Sequence, residues 1–215
     1  MKTVWSCTCT KCGKEIADGD RLAFDFKRGG WRYDPETKKW TCDECAEREG
    51  RMRPILDACC GGRMMYFDKH DPRVLGQDIR VVPRHKIESN GSYFEVRPDV
   101  VGDFRKMDFR DNTFSLVVFD PPHLKCGETS FMFYKYGSLG SFWEDDLRKG
   151  FAECFRVLKK NGTLVFKWCD SFRSLNAVLD LALPYKPVFS HHTASRSGSK
   201  HTYFVVFIKS PEVIR

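Results

Sequence analysis

One run constrains this chain more than any other: Phe114-Ser115-Leu116-Val117-Val118-Phe119, closed by Asp120-Pro121-Pro122-His123. The first six residues read as a buried strand, and the polar tetrad sits at its carboxyl end. Two prolines fix φ and remove two backbone donors, so carbonyls and a carboxylate point outward from a stiff loop. A rigid acceptor cluster of this kind suits an exocyclic amine. Asp120 takes one amine hydrogen and the Pro121 carbonyl takes the other, which holds the nitrogen lone pair towards an electrophile. Pro122 stiffens the loop and His123 shapes its rim.

Other short apolar runs flank this one. Ile55-Leu56, Val74-Leu75, Leu164-Val165-Phe166 and Tyr203–Ile208 read as strand cores. Between the middle strands, Leu147, Phe151, Phe155 and Leu158 recur at helical spacing over 143–158, and Asn161-Gly162 is expected to stop that helix. Strand, helix, strand in repetition predicts an open α/β sheet with right-handed crossovers and helices on both faces. Ser195–Lys200 reads as a loop between the last two strands.

Ile55-Leu56-Asp57-Ala58-Cys59-Cys60-Gly61-Gly62 is an apolar strand running into an acid and then a small-residue turn. Such a turn lets backbone approach a ligand at the carboxyl end of the first strand, where open α/β sheets bind cofactors. Asp78 ends the second strand and is placed to accept hydrogen bonds from ribose hydroxyls. The loop lacks both GxGxxG and the P-loop pattern, so a nucleoside without phosphates is preferred.

The amino-terminal 50 residues have a different composition. Cys9-x2-Cys12 and Cys42-x2-Cys45 offer four thiolates to one tetrahedral zinc ion, and Phe24, Phe26, Trp31, Tyr33 and Trp40 lie between the pairs as candidate strand residues of a zinc ribbon. Four ordinary buried thiols are the alternative, and Cys7 is a rival ligand. So small a core would draw much of its stability from the metal. The expected organisation is a zinc ribbon over 1–50 and a larger domain over 51–215. Ten cysteines in a chain of 215 residues without a signal-peptide pattern are expected as thiols or metal ligands in a cytoplasmic protein. No run of 18 apolar residues is present, so no membrane span is expected. Lys and Arg number 36 against 29 acids, a formal surplus of +7 that fits a polyanionic partner without demanding one.

The chain resembles class I S-adenosylmethionine-dependent methyltransferases, within them the amino-methylating group carrying a [DN]PP[YFW] motif, and most of all small phage- and prophage-encoded members. The matching runs are Asp57–Met64, Asp120–Leu124, Gly150–Leu158 and Phe166-Lys167-Trp168, spread over residues 54–209. The resemblance implies a Rossmann-like sheet with S-adenosylmethionine as cofactor. Asp57, Ala58, Cys59 and Gly61 would hold its methionine part, Asp78 its ribose, and Asp103 with Phe104 would line the adenine pocket. His123 stands where those enzymes place an aromatic ring that stacks on the target base. Phe131, Phe133, Tyr134 and Tyr136 could supply that surface, or simply pack.

The segment 181–211 contains no acid but holds Lys186, Arg196, Lys200 and Lys209. With Lys125 and Lys135 beside the Asp-Pro-Pro loop, Arg196 and Lys200 are candidate phosphate contacts. The leading expectation is methylation of an exocyclic base amine, adenine N6 in DNA foremost, with base flipping from a duplex. RNA or cytosine N4 is the second reading, and a non-catalytic zinc-ribbon nucleic-acid-binding protein is the third. A small-molecule acceptor is also open. Oligomeric state is left open.

Overall fold

The protein is described from a computed structural model covering residues 31–34, 39–42, 53–87, 91, 93–123, 127, 130–195 and 200–210. Cys9, Cys12, Cys45, the Cys42 side chain, Lys125 and Arg196 lie outside the described residues. The chain divides into two compact units, 1–53 with 108–110, and 54–107 with 111–215.

In the first unit, β1 (Trp31–Asp34) pairs antiparallel with β2 (Lys39–Cys42), with Tyr33 opposite Trp40.

The second unit is built on a seven-stranded sheet in the order β10-β11-β9-β8-β3-β4-β7. Its strands are β3 (Ile55–Asp57), β4 (Val74–Asp78), β7 (Val100–Val101), β8 (Phe114–Phe119), β9 (Leu158–Cys169), β10 (Phe189–Ala194) and β11 (His201–Ile208). β7, β4, β3, β8 and β9 are parallel, whereas β11 runs antiparallel to both of its neighbours. The expected α/β, Rossmann-like sheet is therefore present. Leu56, Val117, Phe119, Leu164 and Phe166 share one face of the central strands and are all buried, whereas Leu116, Val118 and Val165 on the opposite face are half-buried.

Between β8 and β9 runs α2 (Trp143–Val157), preceded by the six-residue α1 (Phe131–Tyr136). Leu147, Phe151, Cys154 and Phe155 form the buried stripe of α2, with Glu144, Asp145 and Asp146 in its first turn, where the helix dipole favours acids. Phe151 packs on Phe119 and Phe166 with ring centroids 5.4 and 4.9 Å away, and Phe155 stacks on Tyr185 at 3.5 Å. Beyond β9, α3 (Leu175–Leu179) runs into a 3-10 turn at Asp180–Ala182, which packs on α2.

Three features depart from the sequence expectation. First, α2 stops at Val157 and β9 begins at once with Leu158 opposite Phe114, so Asn161-Gly162 is not the helix stop but a kink inside the strand. Asn161 has φ 61°, and the pair bonds with Lys209 beyond β11. Second, the β3–β4 crossover is made of turns rather than a helix. Its residues include Gly61, Gly62 and Asp71-Pro72, which break any helical period. Third, a separate hairpin of β5 (Val82–Lys86) and β6 (Tyr93–Val96) is inserted between β4 and β7, around a small core of Val82, Phe94 and Val96. Among the described residues, no helix is long and apolar enough to cross a membrane.

Candidate active site

The carboxyl ends of β3, β4 and β8 are adjacent, because β3 pairs with β4 on one side and β8 on the other. Asp57, Asp78 and Asp120 each stand at or just past one of these ends, so the fold gathers three acids that are distant in sequence. This is the edge at which open parallel sheets bind ligands.

The turn after β3 is stitched to both flanking strands. The Ala58 amide donates to the Val118 carbonyl at 2.9 Å, and the Cys60 amide donates to the Gln77 carbonyl at 2.8 Å. Asp57 is buried, and its Oδ1 accepts from the Cys59 amide at 3.2 Å. Burial raises the Asp57 carboxyl to about 7, while the nearby Tyr66 hydroxyl and the Cys59 amide act to lower it. The Tyr66 hydroxyl is itself buried without a well-formed hydrogen bond among the described residues, so it sits beside the carboxylate rather than capping it. Burial also pushes the Cys60 thiol up to about 12 and the Cys59 thiol well above its usual range. Both are therefore neutral, small fillers of the turn and not thiolates. Gly61 has φ +46°, a conformation that explains a glycine at this bend.

Asp78 closes the turn from the other side. Its Oδ2 accepts from the Gly61 amide at 2.9 Å, and both of its oxygens also receive the Arg80 side chain, from Nε at 3.1 Å and Nη2 at 3.2 Å. Arg80 further reaches the Tyr134 carbonyl in α1 at 3.4 Å. No local pattern singles out Arg80, because a side chain two residues past a strand end can turn either way. A carboxylate held on a glycine turn, with a second acid alongside, is an acceptor set that fits the adjacent hydroxyls of a nucleoside.

Asp103 and Phe104 follow β7. Asp103 is gripped by Arg105, whose Nε and Nη2 donate at 2.9 and 2.6 Å, and this holds its carboxyl below the usual range. Phe104 packs 5.3 Å from Phe119, and it lies so near Gly150 of α2 that a Cβ there would stand 2.8 Å from its ring. Phe104 thus forms part of the packing between sheet and helix.

Asp120 is the most distinctive group. Its Oδ2 accepts from Lys167 Nζ at 2.6 Å, while its Oδ1 is buried with no hydrogen-bond partner among the described residues. A buried carboxylate oxygen is seldom left without a donor. His123 turns back on this loop: its Nδ1 is 3.7 Å from that Oδ1 and 3.3 Å from the Pro121 carbonyl oxygen. Its ring meets Trp168 edge-on at 5.9 Å, and burial lowers its pKa, so it is neutral at pH 7. Pro121 is buried, and Pro122 supports the Gly137 bend after α1, at 3.4 Å from where a Cβ would stand. In the sequence Lys167 is visible only as part of a matching run. Its role depends on β8 and β9 lying side by side, with Phe119 opposite Phe166.

Lys200 is exposed and closes the mouth of the β10–β11 turn, where its amide donates to Ser195 Oγ at 3.3 Å. Because β11 is reversed, that mouth lies at the same edge of the sheet as Asp120, with β9 between. Nearby, His192 lies 5.2 Å from His201 and 6.5 Å from His191, ring to ring. Among the described residues no cluster of His, Cys, Asp or Glu is arranged to hold a metal.

No protein-family model and no curated protein matches the chain. Several solved structures are similar. The PH0226 protein from Pyrococcus horikoshii is 20% identical, with a TM-score of 0.48 over 73% of this chain and 81% of its own. The N-methyltransferase NodS from Bradyrhizobium japonicum, in complex with S-adenosyl-L-homocysteine, is 14% identical, with a TM-score of 0.47 over 74% and 77%. A TehB-like S-adenosylmethionine-dependent methyltransferase from Corynebacterium glutamicum is 19% identical, with a TM-score of 0.43 over 73% and 79%.

Proposed function

We propose that the chain is an S-adenosylmethionine-dependent methyltransferase that modifies an exocyclic amine of a nucleic-acid base, adenine N6 in DNA foremost. The observation that carries this reading is the buried Oδ1 of Asp120, without a hydrogen-bond partner among the described residues, at the carboxyl end of β8, one strand away from the glycine turn. Such an oxygen is completed by a ligand N–H, and a planar amine supplies one.

In this reading the amine donates one hydrogen to Asp120 Oδ1 and the other to the Pro121 carbonyl. The two acceptors fix the amine plane, so its nitrogen lone pair points along one direction. His123 Nδ1, which faces the Pro121 carbonyl, moves aside or gives up that oxygen as the amine enters. Asp78 and the Gly61 turn hold the nucleoside cofactor, whose sulfonium supplies an already activated methyl group. With that cofactor bound, its methyl would pass from sulfur to the amine nitrogen, leaving a neutral thioether, and the nitrogen would give up one proton, for which Asp120 Oδ1 is the acceptor the site provides. The Lys167 ammonium holds Asp120 ionised while its Oδ1 orients the amine. Cys9, Cys12, Cys42 and Cys45 are proposed as a structural zinc site apart from this chemistry.

The experiment is direct. The protein is incubated with methyl-tritiated cofactor and separate DNA and RNA pools, and the labelled nucleoside is identified by mass spectrometry. N6-methyldeoxyadenosine is the expected product, whereas N4-methylcytosine or label confined to RNA would reassign the acceptor. Asp120→Ala should abolish transfer while cofactor binding, read by calorimetry, stays within about twofold. Loss of cofactor binding in that variant would mean that Asp120 supports the cofactor pocket and does not orient the amine.

A further inference from the structure

The β5–β6 hairpin is a structural addition to the sheet, and its placement gives it a use. Its inner residue Phe94 lies against the cofactor turn: a Cβ on Gly62 would stand 3.0 Å from the Phe94 ring. The same hairpin touches α1, the helix that follows the Asp-Pro-Pro loop, where the His85 ring lies 4.7 Å and the Phe94 ring 6.4 Å from Tyr134. The hairpin therefore spans from the turn after β3 to the segment after Asp120.

Between this hairpin and the β3–β4 crossover is a cavity of about 670 Å³ that begins at Gly61 and Gly62. Among the described residues, its walls carry five Lys and Arg side chains against two acids. One pair is internal, since Arg63 bonds Asp99, which also accepts from the Gly76 amide. Among the described residues of the wall, Lys69, Arg84, Arg97 and Lys135 face one remaining acid, Glu95. Aromatic surface is interleaved with these cations. Tyr93 is 59% exposed, with the Arg84 guanidinium 4.3 Å above its ring, and Lys135 Nζ lies 4.9 Å from the Tyr136 ring. The register of the hairpin slips between Val82 and His85, so Arg84 sits on an irregular stretch that re-aims side chains.

Cations alternating with exposed aromatic faces are the chemistry of single-stranded nucleic acid, whose phosphates take the charges while its bases stack. A small anion would need the charges but not Tyr93. We infer that the cavity and the outer face of the β5–β6 hairpin hold the sugar-phosphate backbone of an unpaired nucleic-acid strand next to the target base. This inference rests on the nucleic-acid reading of the active site and moves the main phosphate contacts away from the β10–β11 edge.

The test measures binding separately from methyl transfer. A 12-nucleotide fluorescein-labelled single-stranded DNA is titrated with the full chain, read by fluorescence anisotropy across a salt series. The double variant Arg84→Glu, Arg97→Glu should bind at least about 10-fold more weakly, with a salt slope shallower by roughly one to two. Tyr93→Ala should lose about 5-fold or more at every salt concentration, because stacking is not a counterion effect. Cofactor binding should be unchanged in both. Arg84→Gln, Arg97→Gln, which leaves no repulsive charge, should show a smaller loss in the same direction, and it replaces the Glu pair if that variant fails to fold. Unchanged affinity and slope in the folded charge variants would overturn the inference. Methylated base in the pools together with unchanged affinity in these variants leaves the proposed function standing and removes the cavity from it. Hairpin-dependent binding without any methylated base does the reverse.

Discussion

Lys167 Nζ sits 2.6 Å from Oδ2 of Asp120 and leaves the other oxygen of that carboxylate without a hydrogen-bond donor among the described residues. The two residues belong to neighbouring parallel strands and are 47 positions apart. The ion pair fixes the carboxylate rotamer, so Oδ1 is aimed by Lys167 rather than by the loop alone. Lys167 is a positioning residue in this arrangement.

Replacing it with Met should keep the packing of the stem and remove the ammonium. We expect kcat to fall about 10- to 100-fold, with cofactor affinity unchanged within about twofold, the pattern of an interaction that matters in the transition state. Lys167→Arg should recover part of the loss. Steady-state kinetics on the methylated oligonucleotide, with calorimetry for the cofactor, measures both. A fall in cofactor affinity matching the fall in kcat would indicate collapse of the site instead.

Asp57 gives a pH signature. Its folded-state pKa is raised from 3.8 to about 7, chiefly by burial. Between these values the folded protein holds a proton that the unfolded chain has lost, so this residue makes stability fall as pH rises from about 4 to about 7, and its effect is constant beyond. Asp57→Asn should remove that dependence. Urea denaturation of wild type and variant at pH 4.5, 6 and 8 should show the difference moving in the variant's favour with pH, by a few kcal/mol at most. A difference independent of pH would mean that Asp57 is ionised throughout.

Gly61 adopts φ +46°, where a Cβ meets steric opposition. Gly61→Ala should cost about 1–2 kcal/mol in stability. It should also weaken cofactor binding, because the Gly61 amide is one of the donors that hold Asp78. Thermal melts with and without cofactor separate the two effects: the shift produced by cofactor should shrink, beyond the drop in the ligand-free Tm.

Phe155 is fully buried and stacks on Tyr185, with the rings inclined by only 12°. Phe155→Ala should destabilise by about 3–5 kcal/mol through lost burial and the cavity left behind. Phe189, on the exposed strand β10, is 61% accessible, and Phe189→Ala should stay within about 0.5 kcal/mol. Chemical denaturation of the pair checks the contrast.

The strands of the sheet are legible in the sequence because one face is buried and the other half-buried, which leaves short apolar runs, as in 116–119 and 203–208. Asp120 is legible for a related reason: prolines cannot continue a strand, so the acid has to stand at its end. The Lys167 contact is not, since it follows from strand register and not from local pattern. The β5–β6 hairpin leaves little trace in the sequence because its core is only three residues deep and its outer face is charged. The alternation of the rest predicts a helical β3–β4 crossover, yet the composition of that crossover breaks the period. The periodicity of α2 runs one residue past the helix to Leu158, and Asn161-Gly162 has the composition of a stop signal but is instead a kink within β9.

That kink bears on how the chain can change its length. Phe114 faces Leu158 and Leu116 faces Thr163, so residues 159–162 loop out opposite the single residue Ser115. The looped-out stretch works as a slip joint. A residue inserted or deleted there is absorbed locally, and Phe166 stays opposite Phe119 with Lys167 still on the Asp120 side. The same change made between Thr163 and Lys167 has no slack to use, and with a two-residue side-chain repeat it would send the ammonium to the opposite face of the sheet. Drift in length is therefore safe on one side of Thr163 and fatal to the ion pair on the other.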